Sequence, residues 1–261
     1  MAELKIAAYQ MTVGADLDTN FNRIKDGIET ASKAGARLIA LPECALSSYP
    51  PYHTENEIDT ARIADLNSEV CDLAKTNKIW VVLGTIVKSA EGLLNSALVI
   101  TDTGEIAGRY DKLHLFPGDS QFFTSGNEIP IFSIDGVKFG VTICYDLRFP
   151  EPFRYLRELG AQFIFNILNA CEGGTWKRPV MEGTLRTRAS ENSCYIIAAN
   201  ASGPLQMVNS GIYDPLGLSM ATANYDHEEI IHATIDTVKT ETGYFYDRRV
   251  DQFESFALKL P

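Results

Sequence analysis

Two strand–helix–strand units constrain the fold of this chain more than any other feature. The first begins with an apolar run at Lys5–Gln10, continues with an amphipathic segment at Asp18–Ala34 and returns with a second apolar run at Leu38–Leu41. Apolar residues recur in the middle segment at helical spacing, and Gly35 provides a helix stop. Strand, helix and strand within about forty residues form a βαβ unit, so the two strands are expected to be parallel.

A second unit of the same kind begins at Val137. Its first strand is predicted at Val137–Cys144, its helix at Pro150–Leu159 and its returning strand at Phe163–Leu168. The segments AGARLIALPE and LGAQFIFNIL, which enter the returning strands, each place a glycine and an alanine before the apolar run. This similarity could reflect an internal repeat, or it could reflect only the residues that are common at the ends of helices. Both units predict an α/β fold with parallel strands.

The rest of the chain alternates between further strands and helices without a linker or a low-complexity run. A turn-rich stretch lies between Pro117 and Pro130, and helices are predicted at Ile58–Lys75 and Trp176–Asn192. Strands are predicted at Ile79–Val87, Leu94–Thr101, Ile106–Tyr110, Tyr195–Ala199, Ser210–Tyr213, Leu218–Ala223 and Glu229–Ile235. Because composition does not shift along the chain, residues 1–261 are predicted to form a single domain.

Composition narrows the range of partners. The formal net charge of −11 disfavours nucleic acid and anionic membranes as partners, and simple solubility explains it. The first residues lack the pattern of a secretory signal, and no apolar run is long enough to span a bilayer. Five scattered cysteines without a CxxC pair indicate reduced thiols in the cytoplasm. The four histidines lack metal-ligand spacing, so neither a metal site nor a cofactor is expected.

Four reactive side chains follow predicted strand ends: Glu43, Lys112, Cys144 and Asn169. Ligands of open α/β sheets bind in the crevice at the carboxyl ends of strands, so these side chains are candidates for one site. A lysine can lower the pKa of a nearby thiol and stabilise an oxyanion, while a carboxylate can accept and return a proton. The combination predicts nucleophilic catalysis by Cys144.

Each of these residues also has a structural interpretation. Glu43 fits a surface acid, Lys112 a solvated loop lysine and Cys144 a buried packing residue. The other cysteines, at positions 44, 71, 171 and 194, are interpreted as small packing residues. His114 stands between two leucines and is interpreted as a hydrogen-bonded structural histidine. Spacing alone permits the assembly of a site but does not establish it.

Three ordered segments resemble the signature blocks of the nitrilase superfamily of carbon–nitrogen hydrolases: LPECALSSY, GRYDKLHLF and GVTICYDLRFPE. RTRASENSCYIIAAN and YDPLG resemble its later blocks, so the resemblance covers almost the whole chain. It implies a four-layer α-β-β-α sandwich that assembles as a homodimer or larger homo-oligomer. It also implies that Cys144 is the nucleophile, Glu43 the general base and Lys112 the lysine that stabilises the oxyanion.

The resemblance extends to a second acid and to the subclass. Many members carry another glutamate after the lysine, and the nearest candidate here is Asp119, whose side chain is one methylene shorter. Either its loop lies further inward or its role is weaker. Tyr145 and Asp146 follow the nucleophile where nitrilases usually have Trp-Glu, so the chain is similar to amidases. The YDLRFPE continuation is similar to the branch of ω-amidases and deaminated-glutathione amidases, which implies a small amide as substrate.

The predicted substrate wall comprises Tyr49, Tyr145, Asn169, Cys171 and Trp176, and the backbone N–H of Tyr145 is expected to share in holding the oxyanion. Three alternatives stay open at this stage. Another reaction of the superfamily, on a nitrile or an N-carbamoyl amide, is the first. A papain-like hydrolase with a histidine base is the second, and a non-catalytic ligand-binding member is the third.

Two arginines near these blocks have a structural interpretation as well. Arg148 and Arg188 could bind a substrate carboxylate, but they flank acids with which they could pair, Glu151 and Glu191. The structural interpretation is preferred for both, and Asp146 is expected to brace its turn rather than touch substrate.

Overall fold

The computed structural model describes residues 3–49, 58–170 and 174–250. Its strands are β1 (Glu3–Gln10), β2 (Leu38–Ala40), β3 (Trp80–Lys88), β4 (Leu93–Ile100), β5 (Ile106–Asp111), β6 (Phe132–Ile134), β7 (Val137–Ile143), β8 (Phe163–Leu168), β9 (Tyr195–Asn200), β10 (Gly211–Tyr213), β11 (Ser219–Thr222) and β12 (Glu229–Asp236). Its α-helices are α1 (Leu17–Lys33), α2 (Thr60–Asn77), α3 (Pro150–Glu158), α4 (Arg178–Asn192) and α5 (Tyr244–Asp247). Both predicted βαβ units are therefore present.

The strands form two six-stranded sheets that pack face to face. One sheet has the order β12-β1-β2-β3-β4-β5 and the other β11-β10-β9-β8-β7-β6. The core between them is apolar and includes Ile6, Val82, Phe139 and Phe165. Helices α1 and α2 cover the outer face of the first sheet, and α3 and α4 cover that of the second. The layers are thus helix, sheet, sheet and helix, which confirms the predicted α-β-β-α sandwich.

The helix faces follow from the sequence pattern. In α1, Ile24, Ile28 and Ala31 are fully buried at helical spacing, and the Asp16 side chain caps the first turn by accepting from the Thr19 N–H. Burial of such an apolar face, rather than helix propensity, supplies most of the stability of a helix in a folded protein.

The similarity between the two βαβ units extends to the whole of each sheet. Three parallel strands, β1-β2-β3 or β7-β8-β9, carry one antiparallel neighbour on one side and two on the other. The helix ends match too, since Gly35 and Gly160 both have positive φ, at 81° and 94°. Two residues after each glycine, a backbone N–H donates a 2.8 Å hydrogen bond to the first strand of its unit: Arg37 to the Lys5 carbonyl in β1, and Gln162 to the Lys138 carbonyl in β7. These correspondences favour the interpretation of an internal repeat.

Two local features differ from the sequence expectations. Strand β6 was not predicted, because it has only three residues, between the turn-rich stretch and the tight Asp135–Gly136 turn. A 3₁₀ helix at Cys144–Arg148, here called the Cys144 turn, separates β7 from α3. The other predicted strands and helices lie within a few residues of their observed bounds. No helix among the described residues is long and apolar enough to cross a membrane.

Candidate active site

The Cys144 turn places its first residue at the carboxyl end of β7 in an unusual backbone conformation. Cys144 has φ of +45°, in the left-handed region that side-chain-bearing residues rarely adopt. Such conformations cost about 1–3 kcal/mol, and they cluster at functional sites. The residue as a whole is partly exposed, but its thiol is buried, so the turn places a sheltered thiol at the carboxyl end of β7.

Glu43 lies three residues beyond β2 and is fully buried. Its Oε1 accepts hydrogen bonds from Lys112 Nζ and Asn95 Nδ2, both at 2.8 Å. Its Oε2 accepts from the backbone N–H of Asn169 at 2.9 Å. These three donors come from three other parts of the chain and fix the carboxylate in a buried position. A surface position for Glu43 is therefore wrong.

A glycine on β3 allows the Glu43 loop to pass close by. A Cβ at Gly84 would lie 2.0 Å from the Pro42 carbonyl oxygen and 2.9 Å from the Glu43 Cα. Contacts that short cannot be accommodated without moving backbone. The absence of a side chain at Gly84 is therefore one condition for the position of Glu43.

Lys112 directly follows β5 and is 1% exposed. Its ammonium lies 2.8 Å from Glu43 Oε1 and 2.6 Å from Asp119 Oδ2. Burial by itself lowers the pKa of Lys112, but the charges of Glu43, Cys144 and Asp119 outweigh it and raise that pKa. The lysine is thus held as a cation between two carboxylates, and a solvated loop position is wrong.

Asp119 opens a short 3₁₀ helix, Asp119–Gln121, and is buried. Its Oδ2 accepts from Lys112 Nζ and from the Phe116 N–H at 3.1 Å, while its Oδ1 accepts from the Tyr49 hydroxyl. The shorter side chain therefore reaches the lysine because its loop lies inward. Burial and the nearby carboxylates raise the pKa of Tyr49, which keeps this hydroxyl a donor.

The thiol of Cys144 differs from the expectation that a nearby lysine lowers its pKa. Burial raises the pKa of Cys144, the charge of Glu43 raises it further, and a hydrogen bond with Glu43 acts in the same direction. Lys112 and the backbone of Asn169 lower it, but by less. The prediction of a lowered pKa was wrong, because it considered the lysine without the carboxylate beside it. The raised pKa keeps Cys144 a neutral thiol at neutral pH, with the carboxylate of Glu43 nearby.

His114 points to Asp146 rather than to a nucleophile. Its Nδ1 lies 2.8 Å from Asp146 Oδ1, and its ring stacks on Phe149 with centroids 3.9 Å apart. This confirms the interpretation of a hydrogen-bonded histidine that braces the fold. The side chains whose charges shift the pKa of Cys144 are those of Glu43 and Lys112.

The predicted substrate wall is brought together only in part. The Tyr145 ring makes edge contacts with Phe116 and Phe149, at centroid distances of 5.5 and 5.6 Å, beside the Cys144 turn. Asn169 reaches the site through its backbone N–H. Trp176 is 72% exposed, and its ring contacts the ammonium of Lys177. Cys171 lies outside the described residues, so its assignment stays a prediction.

The two arginines behave differently from one another. Arg188 is buried, pairs with Glu191 at 2.9 Å and donates to the Leu147 carbonyl at 3.1 Å. The structural interpretation of Arg188 is confirmed. The ion pairs of the described residues do not include one between Arg148 and Glu151, so the structural interpretation of Arg148 stays a prediction.

Asn95 is the site residue that sequence reasoning missed. It lies inside β4, donates to Glu43 and accepts a 3.7 Å contact from the Cys44 thiol through its Oδ1. The available signal was the polar pair Asn95–Ser96 within the otherwise apolar strand LLNSALVI. Within the part of the chain that the structure describes, no group of three His, Cys, Asp or Glu side chains could hold a metal ion.

Comparison with known proteins identifies the family of the chain. Residues 5–243 match the carbon–nitrogen hydrolase family. The chain belongs to this family. It is therefore a hydrolase that acts on carbon–nitrogen bonds other than peptide bonds.

Individual members of the carbon–nitrogen hydrolase family resemble the chain over most of its length. A deaminated glutathione amidase of Dictyostelium discoideum is 31% identical over 82% of this chain and 81% of its own. An omega-amidase of Bos taurus is 28% identical over 99% of this chain and 100% of its own. A nitrilase and fragile histidine triad fusion protein of Caenorhabditis elegans is 32% identical over 95% of this chain, which spans 61% of that protein. The predicted similarity to this amidase branch is confirmed.

The fold also agrees with solved structures. An amidase from Nesterenkonia superposes with a TM-score of 0.85 at 23% identity, over 97% of this chain and 96% of that one. At this identity the likeness concerns the fold, and it supports the layered sandwich.

Proposed function

We propose that this carbon–nitrogen hydrolase is an amidase that converts a small carboxamide into a carboxylic acid and ammonia through a thioester on Cys144. The observation that carries the proposal is the placement of Glu43, whose buried carboxylate accepts a 2.8 Å hydrogen bond from Lys112 and whose charge raises the pKa of the Cys144 thiol. Acyl transfer requires a base, a cation and a nucleophile close together, and these three side chains provide that combination in one buried site.

In the first half-reaction, Glu43 takes the thiol proton as Cys144 Sγ bonds to the amide carbon. The carbonyl oxygen becomes an oxyanion, held by Lys112 Nζ and the backbone N–H of Tyr145; a donor of this kind contributes about 3–4 kcal/mol. When the oxyanion collapses, the carbon–nitrogen bond breaks and Glu43 gives its proton to the leaving nitrogen. Ammonia departs and the acyl group remains on Cys144 as a thioester.

In the second half-reaction, water takes the place of ammonia. Glu43 accepts a proton from the water as its oxygen bonds to the thioester carbon, and the same two donors hold the second oxyanion. Collapse breaks the carbon–sulfur bond, the acid leaves, and Glu43 returns the proton to the thiol. A proton-transferring side chain contributes about 10²–10⁴-fold to rate.

Asp119 and Tyr49 support this cycle by holding Lys112. The Tyr49 hydroxyl occupies one oxygen of Asp119 and the ammonium occupies the other. Lys112 is thereby fixed from two sides, and preorganised donors lose little free energy to reorientation during reaction. Tyr145, Asn169, Cys171 and Trp176 are proposed to contact the acyl part of the substrate.

The alternatives within the family differ in the bond attacked. Tyr145 and Asp146 after the nucleophile favour an amide over a nitrile, and the amidases among the relatives support the same choice. A nitrilase consumes nitriles, and an N-carbamoyl hydrolase releases carbon dioxide together with ammonia. A non-catalytic member is disfavoured because Glu43, Lys112 and Cys144 are all present.

A panel of short amides, nitriles and N-carbamoyl amino acids tests the proposal, with ammonia and carbon dioxide as readouts. We expect ammonia from amides alone, and none from Cys144→Ala. Cys71→Ala is the matched control, because Cys71 lies on α2 away from the site. Full amidase activity of Cys144→Ala contradicts the mechanism, and turnover confined to nitriles contradicts the assignment of substrate class.

We also propose that the chain works in the cytoplasm as a homodimer or larger homo-oligomer. The support is the family resemblance together with free thiols at positions 44, 71, 144 and 194. Light scattering after size exclusion tests the assembly, because the chain mass is 28.8 kDa. A mass of one chain contradicts the proposal.

A further inference from the structure

Asp146 is a fully buried carboxylate that accepts four hydrogen bonds and has no ion pair with lysine or arginine among the described residues. Its Oδ1 accepts from the backbone N–H of His114 at 2.9 Å and contacts the Nδ1 of the same residue at 2.8 Å. Its Oδ2 accepts from the Tyr110 hydroxyl at 2.7 Å and from the Ile143 N–H at 3.0 Å. A carboxylate that is buried this way is held by hydrogen bonds rather than by a charge partner.

The positions of these donors in the chain give the arrangement its meaning. Tyr110 and His114 lie two residues before and two residues after Lys112, so they bracket the cation of the site. Ile143 lies one residue before Cys144 and Asp146 two residues after it, so they flank the residue with the strained backbone. A single carboxylate therefore joins the segment Tyr110–His114, here called the Lys112 segment, to the Cys144 turn.

We propose that Asp146 is a positioning residue that sets the separation between the Lys112 ammonium and the Cys144 nucleophile. The proposal rests on the proposed function, since it assigns Asp146 to the alignment of the attacking sulfur with the oxyanion donors. Asp146 touches neither reacting atom; it acts through the two segments that carry them. The neighbouring N–H of Tyr145, the second oxyanion donor, belongs to the same turn and is aligned by the same contacts.

A neutral side chain cannot replace this carboxylate, even one of the same shape. Asparagine has one accepting and one donating end, and each oxygen of Asp146 faces a backbone N–H, from His114 or from Ile143. In either orientation, the amide N–H₂ therefore meets a backbone donor that cannot rotate away. The buried conflict pushes the Lys112 segment away from the Cys144 turn.

The test is Asp146→Asn, assayed for ammonia release far below its unfolding temperature. We expect kcat to fall about 100-fold, the size of loss that a misplacement of about 1 Å produces, while KM changes little. Asp214→Asn is the control: Asp214 also accepts from two backbone N–H groups, in the turn before β11, and no hydrogen bond or ion pair of the described residues joins its side chain to the Lys112 segment or the Cys144 turn. Its kcat should equal that of the wild type. A folded Asp146→Asn with wild-type kcat overturns the proposal.

A second variant keeps the proposal testable if Asp146→Asn fails to fold. The double substitution Tyr110→Phe with His114→Ala removes two side-chain donors and creates no clash between donors. We expect kcat to fall about tenfold at nearly constant KM, since each lost hydrogen bond to a charged group weakens the connection. Wild-type kcat in a folded double variant contradicts the role of Asp146.

Crystal structures of the wild type and Asp146→Asn separate this proposal from the proposed function. If the wild type hydrolyses no amide, the proposed function fails, but a changed separation between Lys112 Nζ and Cys144 Sγ still supports the positioning role. If the wild type is an active amidase and the separation is unchanged in Asp146→Asn, the positioning role alone fails.

Discussion

The backbone N–H of Asn169 donates a 2.9 Å hydrogen bond to Glu43 Oε2 across an interval of 126 residues. The Glu43 N–H returns a 3.2 Å bond to the Leu168 carbonyl. These two bonds join the loop after β2, in one sheet, to the loop after β8, in the other. The orientation of the proposed base therefore depends on the packing of the two sheets, and substitutions that disturb either loop should act on catalysis.

Glu43→Gln should abolish amide turnover and yet make Cys144 easier to ionise. Glu43 raises the pKa of Cys144 through its charge and its hydrogen bond, so removal of the charge lowers that pKa, although burial still raises it. Modification of Cys144 by methyl methanethiosulfonate, which forms a methyl disulfide on the thiolate and releases methanesulfinate, should begin at lower pH in the variant when followed by mass spectrometry. Glu29→Gln, on the surface of α1, should leave the profile unchanged. A shift of the profile to higher pH contradicts this account.

Gly84→Ala should impair the enzyme without removing a polar side chain. The added Cβ would lie 2.0 Å from the Pro42 carbonyl oxygen, so the Glu43 loop must move. We expect a loss of about 1–3 kcal/mol in the free energy of unfolding and a fall in kcat of about 100-fold. Gly14→Ala is the control, because its Cβ meets an ordinary contact of 3.8 Å. Urea denaturation and ammonia release measure both quantities, and a normal kcat rejects the steric argument.

Lys112→Met should cost stability as well as activity. It leaves the carboxylates of Glu43 and Asp119 buried without their shared cation. Removing one partner of a buried ion pair typically lowers the free energy of unfolding by about 3–5 kcal/mol. Adding Asp119→Asn removes one of the two charges, so the double variant should regain stability but not turnover. Lys33→Met removes an exposed cation and should change little. The urea midpoints of the variants and the wild type measure these changes. If Lys112→Met is as stable as the wild type, Lys112 does not stabilise the two buried carboxylates.

His114→Ala should reduce kcat only a few-fold. The substitution removes the contact between Nδ1 and Asp146 but keeps the backbone N–H that also bonds this carboxylate. A papain-like mechanism requires His114 as base, and it predicts a loss as large as that of Cys144→Ala. Side-by-side assays of the two variants distinguish the mechanisms, and equal losses favour the histidine base.

Much of the site could be predicted because it lies at strand ends. Glu43, Lys112, Cys144 and Asn169 follow β2, β5, β7 and β8, and strand ends can be located from apolar runs. The same logic fails for Asn95, which lies inside β4 and looks like an ordinary strand residue until its partner is known. Buried polar groups need partners, but sequence does not say which ones they find.

The errors arose where long-range contacts decide the outcome. The pKa of Cys144 depends on burial and on Glu43, a residue 101 positions away in the chain, and spacing conveys neither effect. Strand β6 is too short for a periodic pattern, and it is stabilised by pairing with β7. The pairing of Arg188 could be anticipated, because Arg188 shares α4 with Glu191 at a spacing of three residues.

Because the two sheets repeat the same architecture, the proposed active site lies at the junction between two equivalent halves. The ends of β2 and β8 hold equivalent places in the two sheets, and they meet through Glu43 and Asn169. One half supplies the base and the cation, the other supplies the thiol, and neither carries a site alone. A fluctuation that separates the two sheets should inactivate the enzyme even if the strands within each sheet stay paired. On warming, activity should therefore decline before the far-ultraviolet circular dichroism signal changes. Catalytic activity then reports on the packing of the two sheets against each other.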